Sequence, residues 1–326
     1  MQNSNVNHLI NSRVSLAPMA GITDYVLRSL VRRYSKTALI TTEMISSEFL
    51  AQTLNGRSGT EIFKRDVNHS PISYQISGHK PDMMRRAAEF LNNYADMLDI
   101  NMGCPVNKVV KGSDGCALMR NPDLAADLVK AVKDGTDKPV SVKFRLGYTA
   151  EEMNFVEFGE KMQKAGADFI TIHGRTRSQM YSGKADWTKI KDLKTSVDIP
   201  VFANGDIVDI ASAAECLEKS CADGIAIGRG ALGDPTILHR IEHYLKTGEN
   251  LSPPTLTQRI DMLKIHINEE IKLRGEDVAI KFMRKFYPYY IAGVPNASKI
   301  RSVLVLEEDY SKIMNILDEF TCAQAR

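Results

Sequence analysis

The 326-residue chain has no apolar run approaching the roughly 18 to 20 residues that a membrane-spanning helix requires, so a soluble protein is expected. It also lacks the apolar core of a secretory signal: the opening MQNSNVNHLINSRV is polar, and the expected location is cytoplasmic. Cysteine is scarce and unpatterned. Cys104, Cys116, Cys216, Cys221 and Cys322 are odd in number and form no CxxC, which argues against a disulfide framework and a thiolate zinc site. No metal is expected. An excess of one charge is missing too: a net +2 gives no general attraction for polyanions, so a nucleic-acid partner would have to meet a local patch. There is no convincing internal repeat or low-complexity tract.

What the chain does have is alternation. Eight short runs read as strands: VSLAPMA, ALITTEMI, ISYQISG, MLDINMGCP, VSVKFRLGY, FITIHGRT, PVFANGDI and GIAIGRGAL. Between them apolar residues recur at helical spacing, as in Leu124, Leu128, Val129 and Val132, or Phe155, Phe158 and Met162. Near-continuous apolar strands point to a parallel sheet buried on both faces. Eight strand–helix units over about 230 residues suit an α/β fold of the (β/α)8 TIM-barrel type, with an open doubly wound sheet as the alternative. The SPP at Ser252–Pro254 breaks the pattern. Residues 1–250 are therefore read as the barrel and residues 251–326 as a small all-helical C-terminal domain.

Polar or special residues gather at the C-terminal ends of the runs: Met19, Glu43, Gln75, Asn101, Lys143, His173, Asn204 and Arg229. In a barrel those ends form one mouth, where active sites sit. FANGDI and AIGRGAL, on the last two strands, would offer backbone N–H groups and Arg229 to a phosphate. Gly205, Gly228 and Gly230 there also fit plain turns. Lys143 alternates with valines, and a lysine aimed into a barrel mouth is costly unless it meets an anion or an electron-rich ring, such as a flavin edge. Gln75 and Asn101 carry amides suited to imide edges, and His173 ends strand six. NMGCPVNKVVKGSDGCAL places Cys104 and Cys116 in one Gly-rich loop, open to a metal site, a disulfide or one reactive thiol.

LAPMAGITD, DINMGCPVNKVVKGSDGCALM, SVKFRLGY, ITIHGRTRSQMYSGKADW, VFANGDI, AIGRGALGDP and, more weakly, MRKFYPYY run almost end to end, and with them the chain resembles the tRNA-dihydrouridine synthase family, most of all its bacterial B-type branch. The resemblance implies an FMN-bearing barrel that reduces the C5=C6 bond of selected uridines in tRNA with NADPH. Matched motif by motif, Pro18, Met19 and Ala20 would lie against the flavin, with Gln75 and Lys143 on its ring or ribityl chain. Asn101 would orient flavin and base, and His173 would sit beside both. Asn204, Gly205, Asp206, Gly228 and Arg229 would hold the phosphate side. Cys104 falls at the family's catalytic position: a thiol with an ordinary pKa of about 8.5 stays protonated at neutral pH and can give a proton to C5 while the flavin supplies hydride to C6. Cys116 stands where the family often has Ala, Gly or Ser, and its role is unassigned.

The same resemblance implies a tRNA partner, and a monomer is expected. Lys108 and Lys111 lie in an expected flexible lid, KVVKGSDG, and Arg175 and Arg177 beside the mouth are candidates for the extruded nucleotide's backbone. Between Arg274 and Arg301, six cations (Arg274, Lys281, Arg284, Lys285, Lys299, Arg301) face two acids, interleaved with Phe282, Phe286, Tyr287, Tyr289 and Tyr290. Arg284, Lys285, Tyr289 and Arg301 are the candidates for RNA, by phosphate contact and base stacking. The other reading makes the aromatics bundle core. Two rival functions share the sequence features: a flavin barrel acting on a small molecule, and a barrel that only binds RNA.

Overall fold

The computed structural model describes residues 6–50 and 68–324. Nine strands form one sheet: β1 (Val14–Leu16), β2 (Leu39–Thr41), β3 (Ile45–Ser46), β4 (Ile72–Ser77), β5 (Met97–Met102), β6 (Val140–Arg145), β7 (Phe169–His173), β8 (Val201–Asn204) and β9 (Gly224–Ile227). All pairings between them are parallel. β1 pairs with both β2 and β9, and β2 pairs with β4, so eight strands close into a ring and β3 lies outside it beside β4. The run ALITTEMI, expected as one strand, is therefore two, because the ring's pairing passes from Thr41 directly to Ser73. The doubly wound alternative is excluded by the closure.

Helices follow in chain order: α1 (Asn7–Ile10), α2 (Tyr25–Tyr34), α3 (Pro81–Leu91), α4 (Asn107–Lys111), α5 (Pro122–Asp134), α6 (Phe155–Ala165), α7 (Trp187–Ser196), α8 (Ile210–Ser220) and α9 (Ile237–Thr247). Their starts are written in the sequence. Asp24 accepts from Leu27 N–H, Asn121 from Leu124 N–H and Asp186 from Thr188 N–H, while Asp209 and Ser212 cap each other reciprocally. Each cap satisfies backbone donors that the first turn leaves unpaired, worth about 1 kcal/mol.

The strands bury two different faces. Outward residues such as Ile72, Tyr74, Leu98, Ile100, Val140, Val142 and Phe144 pack under the helices in the main core. Inward residues are layered. At the bottom Leu39, Met97, Phe169 and Phe202 meet Leu9 and Ile10 of α1, which closes that end. Above them lie Ser15, Thr41, Asp99, Ser141 and Thr171, all buried. The topmost inward groups are Gln75, Asn101, Lys143, His173 and Asn204. The expectation of strands apolar on both faces thus holds outside the barrel only; inside, polarity rises toward the mouth.

Past 248–255 the chain is helical: α10 (Leu256–Arg274), α11 (Glu276–Met283), α12 (Tyr287–Tyr290), α13 (Ala297–Leu304) and α14 (Tyr310–Gln324). Their core of Leu263, Ile267, Met283, Phe286, Tyr290, Leu317 and others takes in Leu27 of α2 and Leu232 of the barrel's last loop. Beside it, Arg274 donates to Asp24 at 2.7 Å and Glu270 at 2.5 Å, and His266 Nδ1 lies 3.1 Å from the Tyr290 hydroxyl. Asp24, His266 and Glu270 bring ligand atoms within 4.8 Å of one another. Arg274 already occupies both carboxylates, which makes the cluster a clasp between barrel and helices. Burial, then the neighbouring Glu270, pushes the Asp24 carboxyl up to about 6.

Candidate active site

A cleft of about 670 Å³ opens at the C-terminal ends of the strands. It is lined by every residue expected at the flavin: Pro18, Met19, Ala20, Gln75, Asn101, Lys143, His173, Asn204, Gly205, Asp206, Gly228 and Arg229, with Cys104 on its rim. Residues not singled out from sequence complete it, among them Arg145, Tyr181, Val208 and Leu232. Arg145 lies two residues beyond Lys143 on β6 and so shares its face, the signal that could have found it.

Local geometry explains the convergence. Asn101 ends β5, and its Oδ1 accepts the N–H groups of Gly103 and Cys104 at 3.2 and 2.9 Å, turning the chain so that Cys104 borders the cleft half-buried. Cys116 N–H donates to Cys104 O at 3.1 Å, which pins the far end of the loop. Gly115 between them has φ +58, and a Cβ there would lie 2.8 Å from Cys104 O, so this position needs glycine. Cys116 itself is fully buried, and burial pushes its thiol up to about 12. Of the two cysteines, only Cys104 borders the cleft.

Cations dominate the walls. Lys143 makes no hydrogen bond or ion pair with any described residue, and burial, then the neighbouring Arg145, lowers its ammonium to about 8. A cation so placed fits an electron-rich ring edge. His173, 7% exposed, is held well below its usual range by burial and then by Arg145, Lys143, Arg175 and Arg229, so it is neutral at physiological pH. Arg145 is fixed by donation to Gly103 O, Thr176 O and Met180 O at 2.8 to 3.0 Å.

On the side expected from sequence to take a phosphate, Gly205 has φ +118, and its backbone runs beside the His173 ring. Asn204 Nδ2 donates to Ala226 O at 2.7 Å, tying β8 to β9. Asp206 accepts from Arg175 at 2.6 Å and Arg229 at 3.1 Å. Burial works against its charge, but Arg175, Ala185 N–H and Arg229 hold its carboxyl below the usual range. Arg229, about half exposed, keeps donors free for an anion.

Several RNA candidates sit differently from expectation. Arg175 is 1% exposed and spends its guanidinium on Asp206, Ser182 O and Gly183 O, so it builds the loop and does not face solvent. Phe286, Tyr287 and Tyr290 are fully buried in the helical core, and of the interleaved aromatics only Tyr289 is exposed, lining the cleft. Arg284 pairs with Glu308 at 2.8 Å, Arg301 donates to Ile291 O at 2.9 Å, and Lys285 donates to Gly21 O over the Phe282 ring. Arg177 donates to Asn107 Oδ1 and stands 5.1 Å over Tyr148. Lys108 and Lys111 are exposed on α4, a short helix where a flexible lid was expected.

Fold and cleft together define a (β/α)8 barrel with a large cleft, walled by cations, at the C-terminal ends of its strands. The dihydrouridine synthase family model matches residues 15–324. The chain is 39% identical to a Synechocystis sp. protein described as "Probable tRNA-dihydrouridine synthase 1", over 95% of this chain and 86% of that one. It is 36% identical to tRNA-dihydrouridine synthase B of Pseudomonas aeruginosa, over 90% and 88%. A solved variant of NCR from Zymomonas mobilis shares the fold at a TM-score of 0.50, with 14% identity over 76% of this chain and 90% of that one. The chain belongs to the dihydrouridine synthase family, flavin-dependent oxidoreductases that act on tRNA. No described helix is long and apolar enough to cross a membrane.

Proposed function

We propose that this chain binds FMN in the cleft and reduces uridines of tRNA at C5=C6 with NADPH, Cys104 supplying the proton. The observation that carries the reading is one unpartnered, half-buried cation, Lys143, sharing a cleft of flavin-sized volume with one half-buried thiol, Cys104. Bound FMN would supply hydride to C6. Pro18, Met19 and Ala20 would form the apolar bed for its ring, and Arg229 with the backbone at Gly205 and Gly228 would receive its phosphate.

The remaining chemistry belongs to side chains. The Cys104 Sγ–H would give its proton to C5 as hydride reaches C6, and solvent at the rim would restore it. His173, neutral and with its Nε2 accepting from the Arg175 guanidinium at 3.4 Å, would offer its Nδ1–H to the uracil edge without competing as an acid. A stacked uridine must leave its neighbours to enter, and Tyr289 and Tyr181, 39% and 54% exposed on the cleft wall, would stack on the bases beside it.

The test is single-turnover reduction of tRNA by the FMN-loaded chain. Cys104→Ala should keep its yellow colour and tRNA affinity yet reduce uridine about 10² to 10⁴ times more slowly. Equal rates in the two proteins would remove Cys104 from the reaction.

A further inference from the structure

Beneath the cleft the barrel interior holds a charged group that the proposed reaction does not use. Asp99, 4% exposed, lies one inward position below Asn101 on β5. Both of its oxygens accept: Ser141 Oγ donates to one at 2.6 Å and Gln75 Nε2 to the other at 2.7 Å. A carboxylate can only accept, so Gln75 must turn its nitrogen down and its Oε1 up. That Oε1 accepts from Asn101 Nδ2 at 2.8 Å, which leaves Asn101 Oδ1 to receive the N–H groups of Gly103 and Cys104. The sense of each link is therefore set from both ends, by the backbone N–H groups that can only donate to Asn101 Oδ1 and by the carboxylate that accepts from Gln75.

Asp99 also faces a small void of about 10 Å³, lined by Ser15, Thr41, Ser141, Thr171 and Lys143 among others and close to the volume of one water. It is the only carboxylate among the described residues around that void, and Lys143 is the only cation. Burying a carboxylate costs several kcal/mol unless it is paired and hydrogen-bonded. A neutral amide of the same shape would fill the layer at lower cost, so the charge itself calls for a role.

We propose that Asp99 is a positioning residue of the flavin site: its carboxylate anchors the lower end of the Gln75–Asn101–Cys104 ladder and serves as the counter-charge to Lys143. This rests on the flavin reading given above. Gln75 then presents a set pattern of donor and acceptor to the ring, and Asn101 keeps its oxygen on the loop that carries Cys104. Burial raises the Asp99 carboxyl, and the Ser141 and Gln75 hydrogen bonds with the Lys143 charge oppose that rise. Besides Asp99, the charged and titratable groups facing Lys143 are Arg145 on its own strand, Cys104 and Cys116 in the loop after β5, and His173 on β7. Arg145 works against the Lys143 charge, and Asp99 is the strongest of the groups that support it.

The experiment measures the midpoint potential of the bound flavin in the full chain, wild type against Asp99→Asn. An asparagine keeps the packing and removes the charge, while Asn101 still holds Gln75 Oε1 in place. The expected result is a potential shifted to more positive values at pH below the Lys143 break, because a negative charge near the ring is lost while the ammonium stays, with the break in the potential-versus-pH plot moved to lower pH. Ser141→Ala, which strips one hydrogen bond from the carboxylate, should shift it the same way by less, and it replaces Asp99→Asn if that variant does not fold. A folded, yellow variant with an unmoved potential overturns the proposal, even if its thermal stability drops. A wild-type chain that stays colourless with added FMN overturns the flavin reading instead.

Discussion

Cys104 and Cys116 share one loop but not one environment. The first borders the cleft; the second is sealed under it with its thiol pushed up to about 12. Cys116→Ala should therefore leave tRNA reduction within about twofold of wild type and cost about 1 kcal/mol of stability for the lost buried sulfur. Steady-state rates and denaturant melts on one preparation would check both, and a large loss of turnover would contradict the assignment. Lys143→Ala should weaken FMN retention during dialysis, since no other described cation lines the void below the ring position. Legibility at this scale divided by side-chain reach. Residues on strands, such as Gln75, Lys143 and His173, were placed correctly because alternation settles which way they point. Arg175 was not, because nothing local shows that a loop arginine will turn inward to Asp206 and the carbonyls of Ser182 and Gly183.

The barrel strands and helices were legible from their caps and period, whereas the second half of the chain was read less well. The terminal part was read only as all-helical, and EDVAIKFMRKFYPYYIAG there forms two helices, α11 and α12, with a turn at 284–286 and Pro288 in the first turn of α12. Helix α13 packs between its neighbours, against both α12 and α14. The aromatic interleaving was ambiguous for a physical reason: tyrosine and phenylalanine serve a core and a stacking surface equally, and burial decides. One contact fixes how these elements meet the barrel. Gly233 has φ +76, and a Cβ there would come within 2.3 Å of Tyr289 O. Gly233→Ala should cost about 1 to 3 kcal/mol, seen as a lowered melting temperature. The Asp24 clasp gives a pH signature. Its folded pKa is raised to about 6 from 3.8, so its favourable contribution is complete below pH 3.8 and is lost as pH rises through 6. Asp24→Asn, which keeps an oxygen to cap Leu27, should flatten the loss of stability between pH 4 and 7, a difference on the order of 1 to 3 kcal/mol in urea melts.

For the whole molecule, the net charge of +2 conceals an uneven distribution. Lys108 and Lys111 on α4, Arg177 bonded to Asn107 of the same helix, and Arg229 in the cleft wall gather at the barrel mouth, although Arg177 is partly spent on that neighbour. If about four phosphates are met, log affinity for tRNA should fall against log salt with a slope of about −3, and a flat plot would refute a basic docking face. The barrel and the helices also share a wall: Leu27 and Leu232 lie in the helical core, and Tyr289 lines the cleft. A protease cut in the exposed stretch 248–255 should thus leave two fragments that co-migrate. Grafting the terminal helices of a relative to redirect tRNA choice would fail unless α2 and the 229–233 loop travelled with them.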